Sequence, residues 1–109
     1  MRYAAIITKE GRNTLAEFPD CPGCQTFAEP GESIADQAQD ALMGWLEAHL
    51  ATGEVPPRPS RRHPKGKVLW VEVPARLAVK VLLRMERADA GLTQTELAKR
   101  AGVTQEAIA

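Results

Sequence analysis

Aromatic residues are scarce in this 109-residue chain: two Trp, two Phe and one Tyr. So small a set offers no stacking platform for single-stranded nucleic acid, which needs successive aromatic faces along a basic groove. No apolar run approaches the about 20 residues of a membrane-spanning helix, so no membrane association is expected. The start, Met1-Arg2-Tyr3-Ala4-Ala5-Ile6-Ile7-Thr8-Lys9-Glu10, meets charge too early for a secretory leader. Cysteine is limited to Cys21 and Cys24. A cytoplasmic protein with both thiols reduced is the expectation. Net charge is absent too, with fourteen Lys and Arg against fourteen Asp and Glu.

That zero conceals a split. Residues 1–52 hold three basic side chains (Arg2, Lys9, Arg12) against eight acidic ones, a net of −5, and residues 53–109 hold eleven against six, a net of +5. Such asymmetry suggests two halves with different partners, a cationic one for the front and a polyanion for the back. The length suits one moderate domain or two small ones with a real core.

Residues 2–9 read as a strand, with Tyr3, Ala5 and Ile7 on one face. The turn signal Glu10-Gly11-Arg12-Asn13 leads to a second strand over 14–18, making a hairpin. Pro19-Asp20-Cys21-Pro22-Gly23 interrupts it, and residues 24–29 form a third strand ended by Pro30-Gly31. Ser33, with Asp36 three residues on, caps a long helix whose apolar stripe runs through Ile34, Ala38, Leu42, Trp45, Leu46 and Leu50, closed by Gly53. Residues 54–66 are proline-rich and basic and predict an extended, solvated connector. Its cations Arg58, Arg61, Arg62 and Lys65 are candidates for phosphate contact. A fourth strand spans Lys67 to Val73, and Pro74 precedes a helix over 75–89 with Ala78, Val81, Leu82, Met85 and Ala88 as its apolar face.

The C-terminal stretch predicts a helix-turn-helix. Thr93 and Glu96 form a T-x-x-E capping box, Gly102 can end the helix so begun, and Val103 is the apolar plug. Thr104 caps a second helix opened by Gln105 and Glu106. The same spacing serves an ordinary αα-hairpin, but in DNA-binding proteins it lays the second helix in the major groove. The candidate DNA-contacting residues are Thr93, Gln94, Arg100, Thr104, Gln105 and Glu106. Gln105 is placed to read adenine and Gln94 to buttress it, with Thr93, Thr104 and Arg100 on phosphate. The chain reaches Ala109 about one turn into that second helix, too short to be stable alone, so the functional protein is expected to be longer.

Catalytic signals are thin. Cys21-Pro22-Gly23-Cys24 is a C-x-x-C pair, yet it lies on a turn entering a strand, without the helix N-terminus that activates redox thiols. His49 and His63 do not complete a four-ligand zinc set. Asp20, Asp36 and Asp40 could in principle share a Mg²⁺, but Asp36 and Asp40 fall on the polar face of the long helix, where charge is expected. No metal, cofactor or catalytic residue is expected.

Phe18-Pro19-Asp20-Cys21-Pro22-Gly23-Cys24, followed by a strand, the Gly31-Glu32-Ser33 helix start, and a downstream strand, helix and helix-turn-helix, resembles the HicB antitoxin family over essentially the whole chain. The resemblance implies an α+β fold: an N-terminal partial ribonuclease H-like sheet with one packed helix, followed by an all-α helix-turn-helix segment. It implies a toxin-binding unit over residues 1–73, linker included, and a DNA-binding unit over 74–109. It further implies a non-enzymatic antitoxin that blocks a small basic HicA-type mRNA-cleaving toxin and represses its own operon at double-stranded operator DNA. The acidic front half suits a basic partner, with Asp20, Glu29 and Asp40 as candidate toxin contacts. A homodimer or higher even oligomer is expected from helix-turn-helix geometry. Two alternatives stand beside this reading: a ribonuclease H-like nuclease using Asp20, Asp36 or Asp40 with Mg²⁺, and a DNA-binding regulator whose front half senses a small ligand.

Overall fold

The computed structural model describes residues 1–101, with side chains for 1–91 and Lys99. The order of elements is β1 (Arg2–Glu10), β2 (Asn13–Glu17), β3 (Gln25–Ala28), α1 (Ile34–Ala51), β4 (Lys67–Glu72) and α2 (Ala75–Ala101). The strands form one sheet in the order β3-β2-β1-β4, each neighbouring pair antiparallel. With its two helices this is the α+β architecture expected.

Alternation along β1 sets the layers. Tyr3 and Ala5 point to the helical side, where they pack with Ala16, Val71 and Val73 against Ala38, Leu42 and Leu46 of α1. The pairing of Tyr3 with Val71 and Ala4 with Trp70 puts Ala4, Trp70 and Arg2 on the opposite face. α1 begins where its sequence says. Ser33 holds extended backbone, and its hydroxyl accepts the Asp36 N–H at 3.2 Å, answering one orphan donor of the first turn. The Gln39 side-chain amide donates to the Glu72 carbonyl at 2.9 Å, tying α1 to β4.

α2 joins the same core through Leu77, Ala78, Val81 and Met85. Leu82, expected on that face, is exposed, and Leu77 is buried instead. The buried stripe follows the i, i+4, i+8 row of Leu77, Val81 and Met85, and Leu82 lies about 90° round the helix from its centre. Val79, Leu82 and Leu83 consequently face outward.

A second difference concerns the helix boundary. The separate helices expected over 75–89 and from Thr93 onward are one unbroken helix to Ala101. Asp89-Ala90-Gly91-Leu92 contains no proline, and Ala and Leu favour helix strongly enough to carry a glycine that costs about 1 kcal/mol relative to alanine. An N-cap needs non-helical backbone, so Thr93 and Glu96, inside α2, do not start a helix there.

Candidate functional site

The segment from Phe18 to Cys24 is a compact hydrogen-bonded loop. The Cys21 N–H donates to the Phe18 carbonyl at 3.1 Å, the Cys24 N–H to the Cys21 carbonyl at 2.9 Å, and the Phe18 N–H to the Cys24 carbonyl at 3.1 Å. Gly23 supplies the positive φ of +84° that this closure needs. Phe18, Cys21 and Cys24 point into the core. From α1, the Trp45 indole N–H donates to the Pro22 carbonyl at 3.2 Å, so the loop and helix are locked together.

Both thiols are free and buried. Burial, with the neighbouring Cys24 and Asp20, pushes the Cys21 thiol up to about 12. Burial pushes Cys24 up to about 11. Thiols so held stay protonated at neutral pH, and nucleophilic chemistry needs the thiolate. The pair acts as packing. Among the described residues no three His, Cys, Asp or Glu side chains converge to hold a metal ion, so Asp20, Asp36 and Asp40 do not make a shared site.

The three candidate toxin contacts stand on three different elements. Asp20 is half-buried in the Phe18–Cys24 loop, Glu29 is exposed just beyond β3, and Asp40 is exposed on α1. Glu29 and Glu32 close the turn into α1, the Glu29 N–H donating to the Glu32 carboxylate at 2.7 Å. Asp20 already has a structural partner, since its carboxylate accepts the Ser60 N–H at 2.8 Å.

That bond belongs to a wider departure from the solvated connector expected over 54–66. The segment is strapped to the body. Pro56 is fully buried. The Tyr3 hydroxyl donates to the Pro57 carbonyl at 2.7 Å. The Arg62 N–H donates to the Ser60 hydroxyl at 3.2 Å, and His63 meets Trp70 edge-on with ring centres 6.2 Å apart. Arg58 pairs with Asp89 of α2 at 2.7 Å. Prolines that deny the segment a ladder of its own also fix it in an extended form, which suits a strap as well as a tether. The Arg2 guanidinium lies 4.7 Å from the centre of the Trp70 ring. Sequence alternation gave one signal for this pairing, because Arg2 and Trp70 both fall on the face of their strands away from α1.

Of the candidate DNA-contacting residues, Thr93, Gln94 and Arg100 lie on α2. Thr104, Gln105 and Glu106 lie outside the described residues. Among the described residues no helix is long and apolar enough to cross a membrane.

Comparison with known proteins gives four concordant findings. A helix-turn-helix family model matches residues 83–109. Antitoxin HicB 1 of Photorhabdus laumondii subsp. laumondii is 34% identical over 99% of this chain and 68% of its own length. Antitoxin HicB of Escherichia coli is 32% identical over 99% of this chain and 78% of its own length. A chain in the solved structure of a HicA3 and HicB3 toxin-antitoxin complex superposes with a TM-score of 0.58 at 25% identity, covering 68% of this chain and 99% of that one.

Proposed function

The chain belongs to the HicB antitoxin family, and from that premise we propose that it binds and neutralises a small basic HicA-type mRNA-cleaving toxin and represses its own operon. The observation that carries the proposal is similarity along the whole chain to curated antitoxins, joined to the likeness to a chain from a toxin-antitoxin complex. The two functions fall chiefly on different parts of the chain, with residues 1–73 as the toxin-binding unit and residues from 74 onward as the unit that reads operator DNA. Support for the first lies in the net −5 of residues 1–52, which attracts a basic partner and speeds encounter. Asp20, Glu29 and Asp40 are the proposed contacts. Support for the second lies in the helix-turn-helix match.

The same reading makes the protein a non-enzymatic cytoplasmic binder. It also carries the partial ribonuclease H-like description of the front half, which rests on a three-strand meander followed by a helix and a fourth strand beside the first. A homodimer or larger even assembly suits two half-sites on palindromic DNA, and the outward-facing Val79, Leu82 and Leu83 of α2 supply apolar surface for it. The proposal is tested by co-expressing the chain with the small basic HicA-type toxin of the operon proposed for it. Co-purification as a stable complex is expected; independent elution of the two would refute it.

A further inference from the structure

Between Glu54 and Glu72 the chain carries Arg58, Arg61, Arg62, Lys65 and Lys67 and no carboxylate. In a flexible linker such charges are only a diffuse positive field. Here they ride on a strap fixed by the Tyr3–Pro57 and Asp20–Ser60 hydrogen bonds, with Arg61, Arg62 and Lys65 exposed. The entropy of ordering their backbone is lost on folding, so it is not charged to a binding partner. The strap borders a cleft of about 540 Å³ whose walls include Arg2, Arg58, Arg61, Trp70 and Leu82. The cation–π contact of Arg2 with Trp70 sets one more guanidinium at that rim.

The strap is also tied to α2. Arg58 reaches Asp89, and Asp89 lies inside the segment matched by the helix-turn-helix model. We propose that Arg61, Arg62 and Lys65, with Arg2, contact phosphates of the DNA backbone beside the helix-turn-helix footprint. The inference rests on the reading that this chain binds duplex DNA. A phosphate backbone fits better than an acidic polypeptide because the cations are strung along an extended exposed segment that the Arg58–Asp89 ion pair ties to the helix of the DNA-binding segment. Phosphate contacts of this kind position the protein without reading sequence.

The test is fluorescence anisotropy at several salt concentrations. The probes are a random-sequence duplex and the duplex upstream of the protein's own coding sequence. The variant combines Arg61→Gln, Arg62→Gln and Lys65→Gln, all at exposed positions, with circular dichroism as the folding control and toxin binding measured alongside. The expected result is weaker binding to both duplexes alike. The slope of log affinity against log salt should be shallower by about 0.9 for each phosphate no longer neutralised, about 2–3 in all. The Lys-for-Arg version, Arg61→Lys with Arg62→Lys, should retain the slope. A wild type that binds while the triple variant keeps its affinity and slope overturns the strap contact alone. A wild type that binds neither duplex at low salt overturns the DNA reading and the strap contact with it. A triple variant impaired only toward the toxin assigns the strap to a protein partner and overturns the proposal.

Discussion

The carboxylate of Asp20 accepts a 2.8 Å hydrogen bond from the backbone N–H of Ser60, forty residues further along the chain. One end of this bond lies in the loop that carries the family resemblance, and the other in a segment whose composition reads as a free linker. Asp20→Ala should therefore release the strap. The expected cost is about 1–2 kcal/mol, since a hydrogen bond to a charged acceptor is lost, with water left to answer the exposed Ser60 amide. Trypsin cleavage after Arg61, Arg62 and Lys65 should accelerate under native conditions. Unchanged cleavage with unchanged stability would show that the strap is held by other means.

Much of the fold is legible from local signals because those signals are themselves local. The Ser33 cap, the alternation of Tyr3 and Ala5, and the Ala38-Leu42-Leu46 row each need only a few consecutive residues to be read. The strap is not legible, since its partners Tyr3, Asp20 and Asp89 are distant in sequence and a proline-rich stretch has no period to expose them. Leu77 and Leu82 compete for the core face of α2, and only the angle at which the helix meets the sheet decides between them. Gly91 looks like a break because glycine is a poor helix former, yet its flanking residues and the absence of proline carry the helix through. At the candidate site, the pairing of cysteines with Pro-Gly is readable as a turn. The use of Asp20 as a long-range anchor is not.

The cysteine pair should be dispensable for toxin neutralisation and should mark the alkaline limit of stability. Both thiols titrate above their usual value of 9.0 in the folded protein, Cys24 at about 11 and Cys21 at about 12. Above pH 9 the unfolded chain loses thiol protons that the folded chain keeps, so the folded state binds more protons and stability falls as pH rises from 9 towards 12. Tyr3, also held above its usual value by burial, adds to the loss further up. A Cys21→Ala, Cys24→Ala variant should lose about 1–2 kcal/mol per site at neutral pH from core volume. It should show a flatter alkaline decline in denaturant melts. Stoichiometric zinc in the purified wild type, or unfolding on chelation, would contradict this account.

Charge should govern encounter with the toxin. Asp40 and Glu29 are exposed and hold no strap bond, so Glu29→Lys with Asp40→Lys reports on the acidic face without disturbing the Asp20 anchor. Association should slow several-fold at low salt, and the difference from wild type should shrink as salt is raised. Stopped-flow association rates equal to wild type at all salt concentrations would remove these two carboxylates from the interface.

Sequence reading, as opposed to DNA affinity, should rest on Gln105. Gln105→Ala should cost about 1–3 kcal/mol on the operator and little on random DNA. Arg100→Ala should weaken both alike and flatten the salt slope. An operator-to-random affinity ratio unchanged by Gln105→Ala would move base recognition to another side chain.

The central claim is that this chain silences a ribonuclease by binding it. The most direct measurement is a titration of the chain into a cleavage assay containing the HicA-type toxin proposed as its partner and an mRNA substrate. Cleavage should fall linearly with added chain and cease at a fixed stoichiometry, as expected for tight binding. Undiminished cleavage in the presence of excess folded chain would contradict the claim.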